Sequence, residues 1–252
     1  MQTPIIDTHL HLIYRDRLRY PWLADVAPDE IEAETRNVED LAGRPESLLR
    51  GAISSCRPED DSFPAFLDRQ LADPFVKGFR RVLHVVPDNL SEGATFRVNL
   101  QRLAGAARPF DLCVRPDQID KAIALAGLAP SVQFVLDHCG VPAIKERAED
   151  PWREKITEIA RRPNVAVKIS GIVAYAEPKT WTVDDVRPYV EHAIESFGWG
   201  RVVWGSDWPV CTLTASLSVW VAATHAITLS CSTDERAQLL SVNARRIWRL
   251  AG

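Results

Sequence analysis

No run in this chain approaches the ~18 consecutive apolar residues of a membrane-spanning helix, so nothing in it is expected to cross a bilayer. No basic block stands out either. The 30 lysines and arginines face 34 acidic residues, a net charge of −4, and nucleic acid is not expected as a partner. The opening residues, Met1-Gln2-Thr3-Pro4, carry no basic cluster and no apolar run, so a secretory signal is not expected. Cysteines at CxxC spacing are missing. The five present (56, 113, 139, 211 and 231) are odd in number, and three of them sit at or just after apolar runs. Reduced thiols in a cytoplasmic protein fit that pattern better than a disulfide framework. There is no internal repeat and no low-complexity segment.

What is present suits one globular domain, residues 1–252. The chain is 46% hydrophobic and 25% charged, enough for a sizeable core, and its length is ordinary for a single α/β barrel. Strand-like runs start near residues 5, 48, 75, 110, 132, 165 and 201. Helical patterns separate most of them: residues 28–42, 62–72, 91–107 with Ser91 as a cap, 116–128, 151–162 and 183–197. Two more, 213–229 and 234–250, close the chain. Alternating strands and helices predict a parallel sheet covered by helices. Polar residues at the strands' C-terminal ends point to a closed barrel with its site on that face. The expected fold is a distorted α/β, TIM-like (β/α)8 barrel. Seven strands are found where eight are needed, with one strand-helix unit missing or weak near residues 23–47.

The chemistry starts at Ile5-Ile6-Asp7-Thr8-His9-Leu10-His11-Leu12. On a strand, His9 and His11 share a face while Leu10 and Leu12 take the other. Two imidazoles on one side can hold a divalent metal or polarise a carbonyl, or they can simply pack. His138 follows the apolar run Phe134-Val135-Leu136, and Gly140 after it suits a tight turn; Asp137 is expected to face the opposite way as a structural residue. Asp207 follows Val202-Val203-Trp204-Gly205-Ser206. It can bind a metal or take a proton from water, or it can cap a helix, which Pro209 disfavours. Arg80 and Arg81 lie inside an apolar strand, so one should face the interior and one the helices. Arginine there fits a carboxylate or an oxyanion. Lys168 either binds substrate or pairs with a carboxylate. His84 ends its strand and can reach the mouth. Trp22 sits in a polar loop that is either surface or a pocket wall near the histidines. His192 and His225 lie on helices, away from this set.

The stretches Asp7–His11, Tyr20–Leu23, Gly78–His84, Leu136–Gly140, Pro163–Gly171 and Phe197–Pro209 together resemble the amidohydrolase superfamily. Within it they resemble the amidohydrolase-related (amidohydrolase 2) branch, which includes sugar-lactone and pyrone-dicarboxylate lactonases. The resemblance implies a barrel that hydrolyses a small lactone. It implies that His9, His11, His138 and Asp207 hold one divalent metal, zinc or manganese, or polarise the carbonyl directly. It further implies that Asp207 activates water and that Arg80 contacts substrate. Beside these, Trp22, His84 and Lys168 are the candidates for substrate binding that the residues themselves offer, and a homodimer stays open. A carboxylated lysine on a middle strand, used by two-metal members, has no match. Glu34-Thr35-Arg36 matches a family piece, but the strand that precedes it in typical members does not. Two rival readings follow: an aromatic-acid decarboxylase on the same barrel, and a non-catalytic remnant with an open gap beside the first strand.

Overall fold

The structure, a computed structural model, describes residues 3–12 and 28–251, the side chains of 28–31 excepted. Among the described residues, six strands form one parallel sheet in sequence order: β1 (Ala52–Ser55), β2 (Val76–Val82), β3 (Phe110–Cys113), β4 (Phe134–Leu136), β5 (Val165–Ser170) and β6 (Val202–Gly205). Helices α1 (Pro28–Ala42), α2 (Phe63–Ala72), α3 (Ala94–Arg102), α4 (Ile119–Leu128), α5 (Trp152–Ala160) and α6 (Val183–Phe197) alternate with them. The chain ends in α7 (Leu217–Ile227), α8 (Thr233–Ala237) and α9 (Asn243–Trp248). This is a distorted TIM-like barrel. No described helix is long and apolar enough to cross a membrane.

Strand register sorts the side chains into two cores. Outward residues such as Phe79, Phe110, Leu112, Phe134, Leu136 and Val167 are buried against the helices in the larger one. The smaller core lies inside the barrel. Val135, Ala166 and Val203 point inward there and meet Ala244, Ile247 and Trp248 of α9, with Ile6, Ile53 and Leu250 packed around them. The last helix thus forms an apolar floor. One step further along the strands, the same inward positions turn polar: Arg80, Asp111, Lys168 and Ser170. A parallel strand buried on both faces is usually continuously apolar. Polar residues confined to one end therefore mark the mouth.

Several expected elements are shorter than the sequence suggests. The run 5–12 is not a regular strand. It is an extended segment beside β6, joined by a single bridge between Leu10 and Trp208 and by hydrogen bonds such as Thr8 N–H to the Trp204 carbonyl, 3.3 Å. The strand from residue 75 stops at Val82, leaving His84 in a turn. Ser91 does not cap α3; it is buried in a short 3-10 turn, and Gly93, extended at φ −62° and ψ 143°, is the cap. The final helix is broken by a π-turn at Gln238–Val242.

No strand pairs with the free edge of β1 among the described residues. Between that edge and the segment 4–12 lies a cavity of about 750 Å³, reaching from His9, His11 and Arg80 to Trp248 and Leu250. Helix α1 flanks it. Thr35 Oγ1 donates to Ser54 Oγ at 3.1 Å and Ser55 Oγ to Glu34 Oε2 at 3.3 Å. Of the interval 23–47, where the sequence is short of a strand, residues 28–47 contain none, and 23–27 lie outside the described residues.

Candidate active site

Each site residue is placed by a specific backbone device. Asp7 Oδ1 accepts from the His9 N–H (3.1 Å) and the Ser206 N–H (2.8 Å). The Asp207 N–H donates to the His9 carbonyl at 2.6 Å, and the His11 N–H to the Trp208 carbonyl at 2.7 Å. The N-terminal segment is thereby fastened to the end of β6, which sets His9, His11 and Asp207 side by side. Alternation does the rest. His9 and His11 face one way, their Nε2 atoms 3.2 Å apart, and Leu10 is turned outward, 37% exposed.

His138 and Asp207 arrive by left-handed backbone. Asp207 has φ 54°, and His138, Cys139 and Val141 have φ 54°, 52° and 56°. Non-glycine residues rarely adopt this region, and clusters of them mark functional sites. The consequence at β4 corrects the sequence reading of Asp137. The strand ends at Leu136, Asp137 keeps the inward face shared with Val135, and the turn swings the His138 ring to the same side. Both residues face the cup. Gly171, itself at φ +56°, lies so close that an added Cβ would stand 2.2 Å from Asp207 Cβ. Gly171→Ala is therefore expected to push Asp207 off its position and lower kcat by about 10²-fold. Kinetics on the folded variant check this; near-normal turnover would show that Asp207's placement tolerates displacement.

Three donor atoms form a triangle. His9 Nε2 and His11 Nε2 are 3.2 Å apart, His11 Nε2 and Asp207 Oδ1 3.3 Å, and His9 Nε2 and Asp207 Oδ1 3.6 Å. Tetrahedral ligands about 2.0–2.2 Å from zinc stand roughly 3.3–3.6 Å from one another. Asp207 Oδ1 is also buried without a hydrogen-bond partner, an acceptor that an ion would satisfy. The donor set fits one divalent cation. His138 belongs to a neighbouring group with His9 and Asp137. Its Nδ1 lies 2.9 Å from Ser170 Oγ, 3.2 Å from the Ser170 carbonyl and 3.7 Å from Asp207 Oδ2.

Arg80 is buried, with Nη1 3.2 Å from His9 Nε2. Arg81 takes the other face and pairs with Glu59 at 2.5 Å. Lys168 has no exposed area. Its Nζ lies 2.5 Å from Asp111 and 2.9 Å from Asp137, so of its two readings the geometry supplies the carboxylate pairing, and no face is left for substrate. His84 stands at the rim with Nδ1 3.3 Å from Cys113 Sγ. Trp22 lies outside the described residues. Asp111 was not among the sequence candidates. An acidic residue inside Phe110-Asp111-Leu112-Cys113 is the same signal that singled out Arg80, and it could have been found that way.

Burial sets the protonation states. It lowers the His9 imidazole well below 6.5, with Lys168 reinforcing it, and it lowers His11 against the opposing pull of Asp207. Burial alone would raise Asp207, yet the surrounding imidazoles, His138 first, hold it well below the usual carboxylate range. Burial pushes Asp111 up to about 7 despite Lys168. Asp137 is buried too, but Lys168 and His9 hold it well below the usual range. Lone pairs on His9 and His11 survive above their lowered values and are lost as pH falls through them. The acid limb of kcat/KM is therefore expected below pH 6.5; a midpoint at or above 6.5 would contradict this placement.

The family model described as "Amidohydrolase" matches residues 23–250. The chain belongs to the amidohydrolase family. An L-fucono-1,5-lactonase of Burkholderia ambifaria is 27% identical over 224 residues, covering 87% of this chain and 77% of the relative. A second, from Burkholderia multivorans, is 29% identical and covers 84% of each. The crystal structure of a Burkholderia multivorans amidohydrolase with bound zinc superposes with a TM-score of 0.85, at 25% identity, over 98% of this chain and 100% of that one.

Proposed function

We propose that this amidohydrolase opens the ring ester of a sugar lactone, with an aldono-1,5-lactone of the L-fucono type as the substrate to try first. The observation that carries the reading is the triangle of His9, His11 and Asp207 beside Arg80 at the barrel mouth. The lactonase relatives, matched over more than four fifths of the chain, favour a lactone over other esters.

Held by His9, His11 and Asp207, zinc or manganese would polarise the carbonyl and acidify water. The chain's own groups do the remainder. Asp207 Oδ2 takes a proton from water as its oxygen attacks the carbonyl carbon. The Arg80 guanidinium faces the charge that develops on the carbonyl oxygen. The acyl–oxygen bond of the ring then breaks, and the leaving oxygen recovers that proton from Asp207, directly or relayed through His138. Ring opening therefore consumes one water and yields one hydroxy acid. The five cysteines are all free, which supports placing the protein in the cytoplasm.

Acid release from a panel of aldonolactones tests this, run beside carbon dioxide release from hydroxybenzoic acids. Saturable acid release supports a lactonase. Carbon dioxide release without lactone turnover would make it a decarboxylase. The flank cavity is what a non-catalytic remnant would show; the assembled cup argues for activity, and inertness toward every lactone would favour the remnant.

A further inference from the structure

Under the three-donor triangle lies a second charged layer that the proposed hydrolysis does not use. Asp111, Asp137 and Lys168 have no exposed area. Lys168 Nζ is 2.5 Å from Asp111 Oδ2 and 2.9 Å from Asp137 Oδ1. One carboxylate would neutralise the ammonium, and burying a second is costly unless it has a further partner. Asp137 has one. Its Oδ1 stands 3.4 Å from His9 Nδ1, where Lys168 Nζ also approaches to 3.2 Å. Each ring nitrogen of His9 faces a group that only donates, Arg80 Nη1 at Nε2 and Lys168 Nζ at Nδ1, each at 3.2 Å, so these two contacts cancel as a guide to the tautomer. The donor triangle separates them: an ion held with His11 and Asp207 takes the Nε2 lone pair, which leaves the proton on Nδ1, the nitrogen that faces the Asp137 carboxylate.

Resting on the reading of His9 as a group that acts in the cup, we propose that Asp137 is a positioning residue. It fixes His9 with the proton on Nδ1 and leaves the Nε2 lone pair for the cation that the donor triangle would hold. Lys168 holds Asp137 in place, and Asp111 balances the lysine. A carboxylate behind a ligating histidine commonly sets its tautomer and orientation. Here that carboxylate directly follows β4 and precedes His138, so one turn places both groups.

The test compares Asp137→Ala with Asp111→Ala. Each removes the same atoms and leaves Lys168 one carboxylate partner. Nitrogen-15 spectra of the histidines give the tautomer, calorimetry gives zinc affinity, and steady-state kinetics separate kcat from KM. The wild type is expected to show His9 protonated on Nδ1. Asp137→Ala should lose that preference, weaken zinc about 10–100-fold and lower kcat by a similar factor with KM within about threefold. Asp111→Ala should leave the tautomer unchanged and zinc affinity within about threefold. A purely structural ion pair would give both variants equal losses, which overturns the proposal. So does a wild-type His9 protonated on Nε2, a measurement that needs no variant to fold. If the wild type turns over no lactone while the tautomer and zinc results hold, the lactonase reading fails and the positioning role stands.

Discussion

Asp207→Asn is expected to lower kcat on a competent lactone by roughly 10²–10⁴-fold, the span of general-base catalysis, with KM changed far less. The carboxylate stands at the meeting point of the site. Oδ1 closes the donor triangle with His9 and His11, and Oδ2 faces His138. An amide of the same shape keeps the packing against Gly171 but accepts no proton from water. The buried, depressed carboxylate is ionised throughout the working range, so no change of pH should restore the variant. Initial rates of acid release, with the melting temperature as a control on folding, decide the matter. Turnover within tenfold of the wild type would remove Asp207 from the role of base.

His11→Ala is the second large effect, and it is read by binding. Loss of an outer partner typically weakens a metal site about 10–100-fold; removing a corner of the triangle removes a ligand and should exceed that. His11 Nε2 lies within 3.3 Å of both other donors, and the remaining pair, 3.6 Å apart, cannot enclose an ion. Calorimetry is expected to show one zinc per wild-type chain and no measurable site in the variant. Equal affinity in the two would place the metal elsewhere, with the group of His9, Asp137 and His138 as the alternative.

Much of this site was legible because strand geometry is simple. The period of two placed His9 with His11 and separated Arg80 from Arg81. A run of apolar residues ending in a polar one located the mouth three times over. Alternation failed where the chain stops being a strand. At Asp137-His138 the period-two count assumes an extended backbone, whereas left-handed residues begin at His138, so both neighbours face inward. Gly140 hinted at a turn but not at its start. Ser91 misled for a related reason: a good capping residue tells nothing about which of several nearby residues begins the helix. The first strand was expected from its apolar opening, but its partners are scattered contacts with the β6 end, a tertiary matter that no local pattern encodes. The shortage of one strand among the described residues was readable directly, as an interval with no second apolar run, and a cavity lies beside the first strand's free edge.

Diffraction from zinc-soaked crystals at the zinc absorption edge tests the site most directly. The expected result is a single anomalous peak about 2.0–2.2 Å from His9 Nε2, His11 Nε2 and Asp207 Oδ1. A peak held by other side chains, or none at saturating zinc, would contradict the three-donor centre.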